Sequence, residues 1–194
     1  MICKFLVMKK FSSLIGTILT LIPLNPKIIS KTILFTSTFG IPITWTHQAR
    51  AENAELYLNR GASHMNNRDH QAAIKEFSKI IDFYPSWYFL WGAYYNRALN
   101  YEKLDNYELA VNDYTKSIEL NPNESDTYYR RGWLLHNKFK KYREAIFDYD
   151  NAIKLNPIDT PSYLFYWRGK AKWGVNDFFS AIEDHKKVIK FEPN

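Results

Sequence analysis

Five histidines and two sets of neighbouring carboxylates are the residues of this sequence with the chemistry for catalysis or metal binding. To hold a metal, His47, His64, His70, His136 and His185 would need a spacing such as H-x-x-x-H, or cysteines beside them. None has either, and Cys3 is the single cysteine. Asp148 with Asp150, and Glu183 with Asp184, stand close enough in sequence to be read as paired general acid and base. They lie among Lys and Arg on segments of helical period, which reads as a solvated outer face. The seven glycines form no G-x-G-x-x-G and no phosphate loop. No catalytic residue, metal ligand or cofactor is expected.

A nucleic-acid partner is not expected either. Lys138, Lys140, Lys141 and Arg143 cluster, and 17% of the chain is aromatic, features that stacking platforms combine. The formal net charge of +6 points the same way until its distribution is followed. Residues 1–51 hold six Lys or Arg and no acid, leaving 20 basic and 20 acidic residues from Glu52 to Asn194. The basic excess belongs to the leader.

Behind the leader one spacing recurs. Ala98 is followed at twelve residues by Ala110, at sixteen by Tyr114 and at twenty-four by Pro122. Gly61 leads likewise to Ala73, Phe77 and Pro85, and Gly169 to Ala181, His185 and Pro193. Gly132 leads to Ala145, Tyr149 and Pro157 with one residue inserted. An Arg stands before each small residue: Arg60, Arg97, Arg131 and Arg168. Four copies of one spacing indicate a stacked solenoid. Each copy carries two helix-period runs, such as Tyr94, Tyr95, Ala98 and Leu99, then Tyr107, Ala110, Val111, Tyr114 and Ile118. Asp105-Asn106 between them tolerates a left-handed turn, and Asn121-Pro122 stops the second helix. The small residues predict close approach of the paired helices.

The fragments YLNRG, YYNRA, YYRRG and FYWRG are each followed by Ala-Ile or Ala-Val and closed by Tyr-Pro, Asn-Pro or Glu-Pro. Together they resemble the signature of the tetratricopeptide repeats. The resemblance covers residues 54–194. It implies an all-α fold: a right-handed α-solenoid of four helix–turn–helix repeats behind an N-terminal hydrophobic leader. The repeats would occupy residues 54–87, 91–124, 125–159 and 162–194. The chain departs from the family in its turns, where Arg68, Asp105 and Asn176 replace a frequent Gly. His185 replaces the usual aromatic of the last copy, and it and His64 fall at packing positions.

The same resemblance implies a groove, lined by the first helices, that takes a peptide or helix of another protein. Carried over by spacing, its lining is Leu58, Asn59, Ala62 and Met65, then Tyr95, Asn96, Leu99 and Glu102. The third and fourth copies add Tyr129, Arg130, Trp133 and His136, then Tyr163, Tyr166, Trp167, Lys170 and Trp173. Seven aromatics in the last three copies exceed what the fold requires, and aromatic anchors beside an Arg are what hot spots are made of. The expected contact residues are Asn59, Tyr95, Asn96, Tyr129, Arg130, Trp133, Tyr163, Tyr166, Trp167 and Trp173. Some members clamp a chaperone's carboxyl terminus with two Lys, two Asn and an Arg. Asn96 and Arg130 match that set. Leu58, Ala62 and Asp126 stand where a Lys, an Asn and a Lys are needed, and Asp126 would repel the carboxylate. The expectation is a non-catalytic interaction module. The alternatives are a structural piece that self-associates through the ends of the array, or a membrane-anchored assembly factor.

The leader itself contains two apolar stretches, Phe11 to Leu24 after Lys9-Lys10 and Ile33 to Trp45 after Lys27 and Lys31. Ala49-Arg50-Ala51 supplies a small-x-small triplet at a suitable distance. These are the parts of a secretory signal, so residues 1–51 are read as a signal peptide and the product as exported: periplasmic, secreted or lumenal. Met8 offers an alternative start. Each stretch is shorter than the roughly 20 apolar residues of a spanning helix, but an uncleaved anchor over residues 11–45 is the alternative. A transit peptide would favour Arg, and Lys dominates here. Any membrane contact is expected through the leader alone. Intact-mass analysis of the protein from its native host should find a chain starting at Glu52; retention of residues 1–51 would favour the anchor.

Overall fold

The computed structural model describes residues 43–191, with side chains described for residues 52–191. Eight helices make up the described chain: α1 (Ile43–Asn66), α2 (His70–Phe83), α3 (Leu90–Lys103), α4 (Tyr107–Leu120), α5 (Ser125–Asn137), α6 (Tyr142–Leu155), α7 (Ser162–Gly174) and α8 (Phe178–Phe191). Each packs chiefly on its neighbours in sequence, so the chain is an all-helical solenoid of four hairpins. The first helix begins at Ile43, well before the Ala54 expected for the first repeat, and the backbone of Ala49–Ala51 lies inside it. Phe11 to Leu24 and most of Ile33 to Trp45 lie outside the described residues. Among the described residues no helix is long and apolar enough to cross a membrane.

The hairpins close at the small residues. Ala73, Ala98, Ala110, Ala145 and Ala181 are fully buried. A Cβ at Gly61 would lie 2.5 Å from the Phe77 ring, and one at Gly132 would lie 3.0 Å from the Asp148 Cβ. At Gly169 a Cβ would lie 3.1 Å from Nε2 of His185, which therefore fills the aromatic place of the last repeat. His64 does not pack in this way. It is half-exposed in the first turn, with Nδ1 3.7 Å from Asp69 Oδ2. Around these contacts the core forms three clusters that bridge neighbouring repeats, with Phe77, Ile80 and Trp87 in the first and Tyr114 and Leu134 in the second. Tyr149 and Leu164 lie in the last.

Each turn inside a hairpin contains a residue of positive φ: Arg68 at 61°, Asp105 at 58°, Lys140 at 57° and Asn176 at 63°. Three of the turns close with a backbone bond reaching back five residues, as from Asp69 N to His64 O, 2.9 Å. The third reaches back six, from Lys141 N to Leu135 O, 2.8 Å. That longer turn absorbs the inserted residue without disturbing the helices on either side. Its Phe139 packs against the core of the second repeat. Side-chain caps differ between repeats. Asp69 accepts from Ala72 N at 3.1 Å and Asp177 from Ser180 N at 3.2 Å, while α4 and α6 have no side-chain cap.

Ala110 is fully buried and Lys116 is exposed beside Glu119. Ala110→Leu should overpack the hairpin and cost roughly 1–3 kcal/mol. Lys116→Ala should leave stability nearly unchanged in the same chemical denaturation experiment. Equal losses would refute the register.

Candidate functional site

Side chains of the first helices α3, α5 and α7 meet on one side of the array. On α3, Tyr95 donates its hydroxyl to Asp126 Oδ2 of α5. Arg130 Nε, one turn on from Asp126, donates to the same carboxylate oxygen at 2.8 Å and to the Tyr95 hydroxyl oxygen at 3.0 Å. Asp126, read from sequence as a repulsive group, is thus the acceptor that draws Arg130 and Tyr95 together. Burial, and then the bond to Asp126, push the Tyr95 phenol above its ordinary range. Burial does the same at Tyr129 and Tyr163. These phenols stay neutral near pH 7 and act as donors, not as bases.

Beyond Arg130 an aromatic run crosses from α5 to α7. Tyr129 meets Tyr163 with ring centroids 4.7 Å apart, and Trp133 meets Trp167 edge-on at 6.2 Å. Tyr166 packs edge-on against Trp167 at 5.2 Å. Lys170 Nζ lies 5.0 Å from the Trp167 centroid and 5.4 Å from that of Tyr166. His136 is buried beneath them, 5.7 Å from Trp167, and its Nδ1 has no partner among the described residues. Burial, with Lys170 and Lys140 nearby, holds this imidazole below its ordinary value and so uncharged at neutral pH.

The residues singled out from sequence fare unequally. Tyr95, Tyr129, Arg130, Trp133, Tyr163, Tyr166 and Trp167 are brought together. Tyr163 remains 42% exposed and Tyr166 39%, beyond what packing alone would leave for core rings. Trp173 is 58% exposed and stacks edge-on with Phe178 at the far end of the last hairpin, away from that run. Asn96 uses its amide on its own helix, donating from Nδ2 to Gly92 O at 2.8 Å. Asn59 is exposed on α1, where Leu58 and Met65 turn into the first core. The first repeat contributes no aromatic to the run.

Of the four carboxylates read as a solvated outer face, Asp150 and Glu183 are exposed and the other two are not. Asp148 and Asp184 are buried, and each takes a two-pronged bond from the Arg that precedes its repeat's small residue. Arg131 reaches Asp148 at 2.9 and 2.6 Å, and Arg168 reaches Asp184 at 2.8 and 2.5 Å. Arg97 holds Asp113 in the same way at 2.7 and 2.8 Å. The third donor of each Arg reaches back to the preceding repeat. It meets Ser78 Oγ at 3.0 Å, Thr115 Oγ1 at 3.1 Å and Asp150 Oδ1 at 2.7 Å. Glu183 is exposed and pairs with Lys186. The signal was present in the sequence: an Arg before each small residue, and an Asp sixteen or seventeen residues later in the last three copies.

Models of the tetratricopeptide repeat match residues 54–86, 92–124 and 113–147. The chain belongs to the tetratricopeptide repeat family. The third match starts in α4 and ends in α6, because a second helix with the first helix of the next repeat is also an antiparallel pair. Over 80 residues the chain is 35% identical to the Protein STIP1 homolog of Dictyostelium discoideum, covering 41% of this chain and 14% of that protein. Over 79 residues it is 34% identical to the Small glutamine-rich tetratricopeptide repeat-containing protein of the same organism, covering 41% and 23%. The chain therefore spans under a quarter of either relative. Among solved structures it is similar to MamA 41-end from Desulfovibrio magneticus RS-1, at 22% identity and a TM-score of 0.64 over 73% of this chain and 76% of that one. A tetratricopeptide repeat protein from Parabacteroides merdae ATCC 43184 aligns with a TM-score of 0.67 at 15% identity, over 74% and 55%. These likenesses show the fold.

The two deepest carboxylates respond oppositely to their surroundings. Burial raises the Asp148 value, and the single cation Arg131 does not reverse that. Burial opposes ionisation at Asp184 as well, yet Arg168 and Lys172 together outweigh it and hold this carboxyl below its usual range. Lys172 Nζ lies 2.8 Å from Asp184 Oδ2. A depressed folded value stabilises above the ordinary carboxylate pKa, and that contribution is lost as pH falls through the folded one. Asp184→Asn should therefore flatten the loss of stability below about pH 4. At pH 7 it should cost about 3 kcal/mol by taking from the partly buried Arg168 and Lys172 the carboxylate they share, with Asp150 left to Arg168 alone. Asp148→Asn should not flatten the acid limb, and denaturation curves at both pH values make the comparison.

Proposed function

We propose that the chain is a non-catalytic interaction scaffold whose first-helix face holds a peptide or helix of another protein. The observation that carries this reading is the aromatic run from Tyr95 to Tyr166, brought to one side by three helices and left partly open. Large flat rings bury much area on contact and have few rotors to freeze. Arg130 gives its Nε to Asp126, so only the outer nitrogens of its fork are left for a ligand carbonyl or carboxylate. That geometry does not suit a chaperone clamp, since the carboxylate of Asp126 already shares the guanidinium. Residues 1–51 would direct the protein out of the cytoplasm before it meets its partner. In that setting an adaptor without a catalytic group acts by holding a segment in place.

Tyr163 and Tyr166 separate binding from folding, because both are exposed enough to be removed without opening the core. Partner capture from host extract, identified by mass spectrometry, should be lost with Tyr163→Ala and Tyr166→Ala together. A true anchor costs about 2 kcal/mol or more, nearly thirtyfold in affinity. The melting temperature of the double variant should stay within a few degrees of the natural protein. Undiminished capture by a folded double variant would overturn the reading.

A further inference from the structure

The outer ridge of α8 repeats an interface used twice elsewhere in the chain. Val111 and Ile118 on α4, and Ile146 and Ile153 on α6, stand one and eight places after the second helix's buried Ala, Ala110 and Ala145. They are partly buried in the cluster that contains Tyr128 and Leu135 of α5 and Leu164 and Ala171 of α7. Ile182 and Ile189 hold the same two places on α8, yet they are 50% and 68% exposed. Among the described residues no helix lies on them.

The polar half of that interface differs. At each internal junction the Arg of the incoming first helix finds an acceptor on the second helix before it: Ser78, Thr115 or Asp150. The residue at that place on α8 is Lys186. Lys190, one turn further along, is also exposed. Glu183 pairs with Lys186 at 2.7 Å, but both are solvent-exposed, and such a pair is screened and weak. An incoming helix of this chain's own kind would bring an Arg against Lys186. The other end of the array shows what that helix would be. Leu56 of α1, at the place of Leu164, is exposed, and so is Arg60, at the place of Arg168. Head-to-tail stacking would thus set Arg60 against Lys186.

We propose that the outer ridge of α8 docks an amphipathic helix of a different protein, carrying an acidic residue where this chain's first helices carry Arg, and rejects a second copy of the chain. Continuity of the interface supplies the apolar seat, and Lys186 with Lys190 supplies the charge that selects the occupant. Like charges placed together across a desolvated contact are a strong specificity device. The site lies on the last second helix and stands apart from the aromatic run.

The probe is a stapled helical peptide patterned on Ser162–Gly174, made with the natural Arg168 and with Arg168→Glu. The Glu form should bind the full chain at least tenfold more tightly than the Arg form, measured by calorimetry. Ile189→Asp in the protein should abolish binding, Lys186→Glu should reverse the preference, and Tyr163→Ala should change neither. Size measured across concentration should show a monomer for the natural chain. Lys186→Glu should add concentration-dependent growth, which Arg60→Glu should remove. Equal binding of the two peptides, binding by neither, or growth of the natural protein would overturn the proposal. Loss of peptide binding in Tyr163→Ala would place the peptide on the first-helix face and overturn it as well.

Discussion

Everything in this array hangs on one guanidinium repeated three times. Arg97, Arg131 and Arg168 each close a hairpin by gripping a carboxylate on its second helix, and each reaches back to the hairpin before. Buried ion pairs are weak sources of net stability, because the charges must first leave water. Their contribution is positional. A planar fork that must meet a carboxylate squarely, beside a Gly or Ala that admits no sideways slack, leaves one relative placement of the two helices. That placement fixes which residues of the next first helix face inward. The aromatic run is therefore a consequence of the clamp on the opposite side.

The first-helix face has its own internal economy of charge. Asp126 holds Arg130 and Tyr95 in a three-way contact that crosses between repeats, so the charged centre of the face is close to neutral and the surface around it is aromatic. A ligand that met such a face would gain by covering rings, with polar contacts fixing its orientation. Lys170 over Tyr166 and Trp167 adds a cation whose stem already lies on the rings, ready to be covered with them.

The repeat architecture was legible from small residues at fixed spacing, because steric closeness demands a residue type and not merely a polarity. The positive-φ turns at Arg68, Asp105 and Asn176 were legible for a related reason: the spacing located the turn even without Gly. Lys140 was not, since the inserted residue shifted the turn by one. Asp148 and Asp184 were misread because charge among Lys and Arg is the usual signature of a wet surface. Only the phase of Asp148 and Asp184 against the preceding Arg distinguishes a clamp from a solvated pair. On the first-helix face the aromatic positions followed from the register, while the capture of Arg130 by Asp126 did not. That bond joins side chains on one helix to a third on another, and no periodicity records it. The split of the leader from the array was read from charge, yet the helix of the first repeat starts upstream of that boundary, at Ile43.

The three junctions of the array differ in one atom's chemistry: a Ser hydroxyl, a Thr hydroxyl and, last, a carboxylate. A hydrogen bond to an ionised acceptor is roughly twice as strong as one between neutral groups. In a linear array, stability is a sum of units and nearest-neighbour couplings, so unequal couplings divide the chain into blocks. Asp150 is half-exposed, so water and salt weaken the last of these bonds while leaving the two hydroxyl bonds largely untouched. The junction that brings α7 and its rings onto α6 is therefore the one whose grip responds to ionic strength.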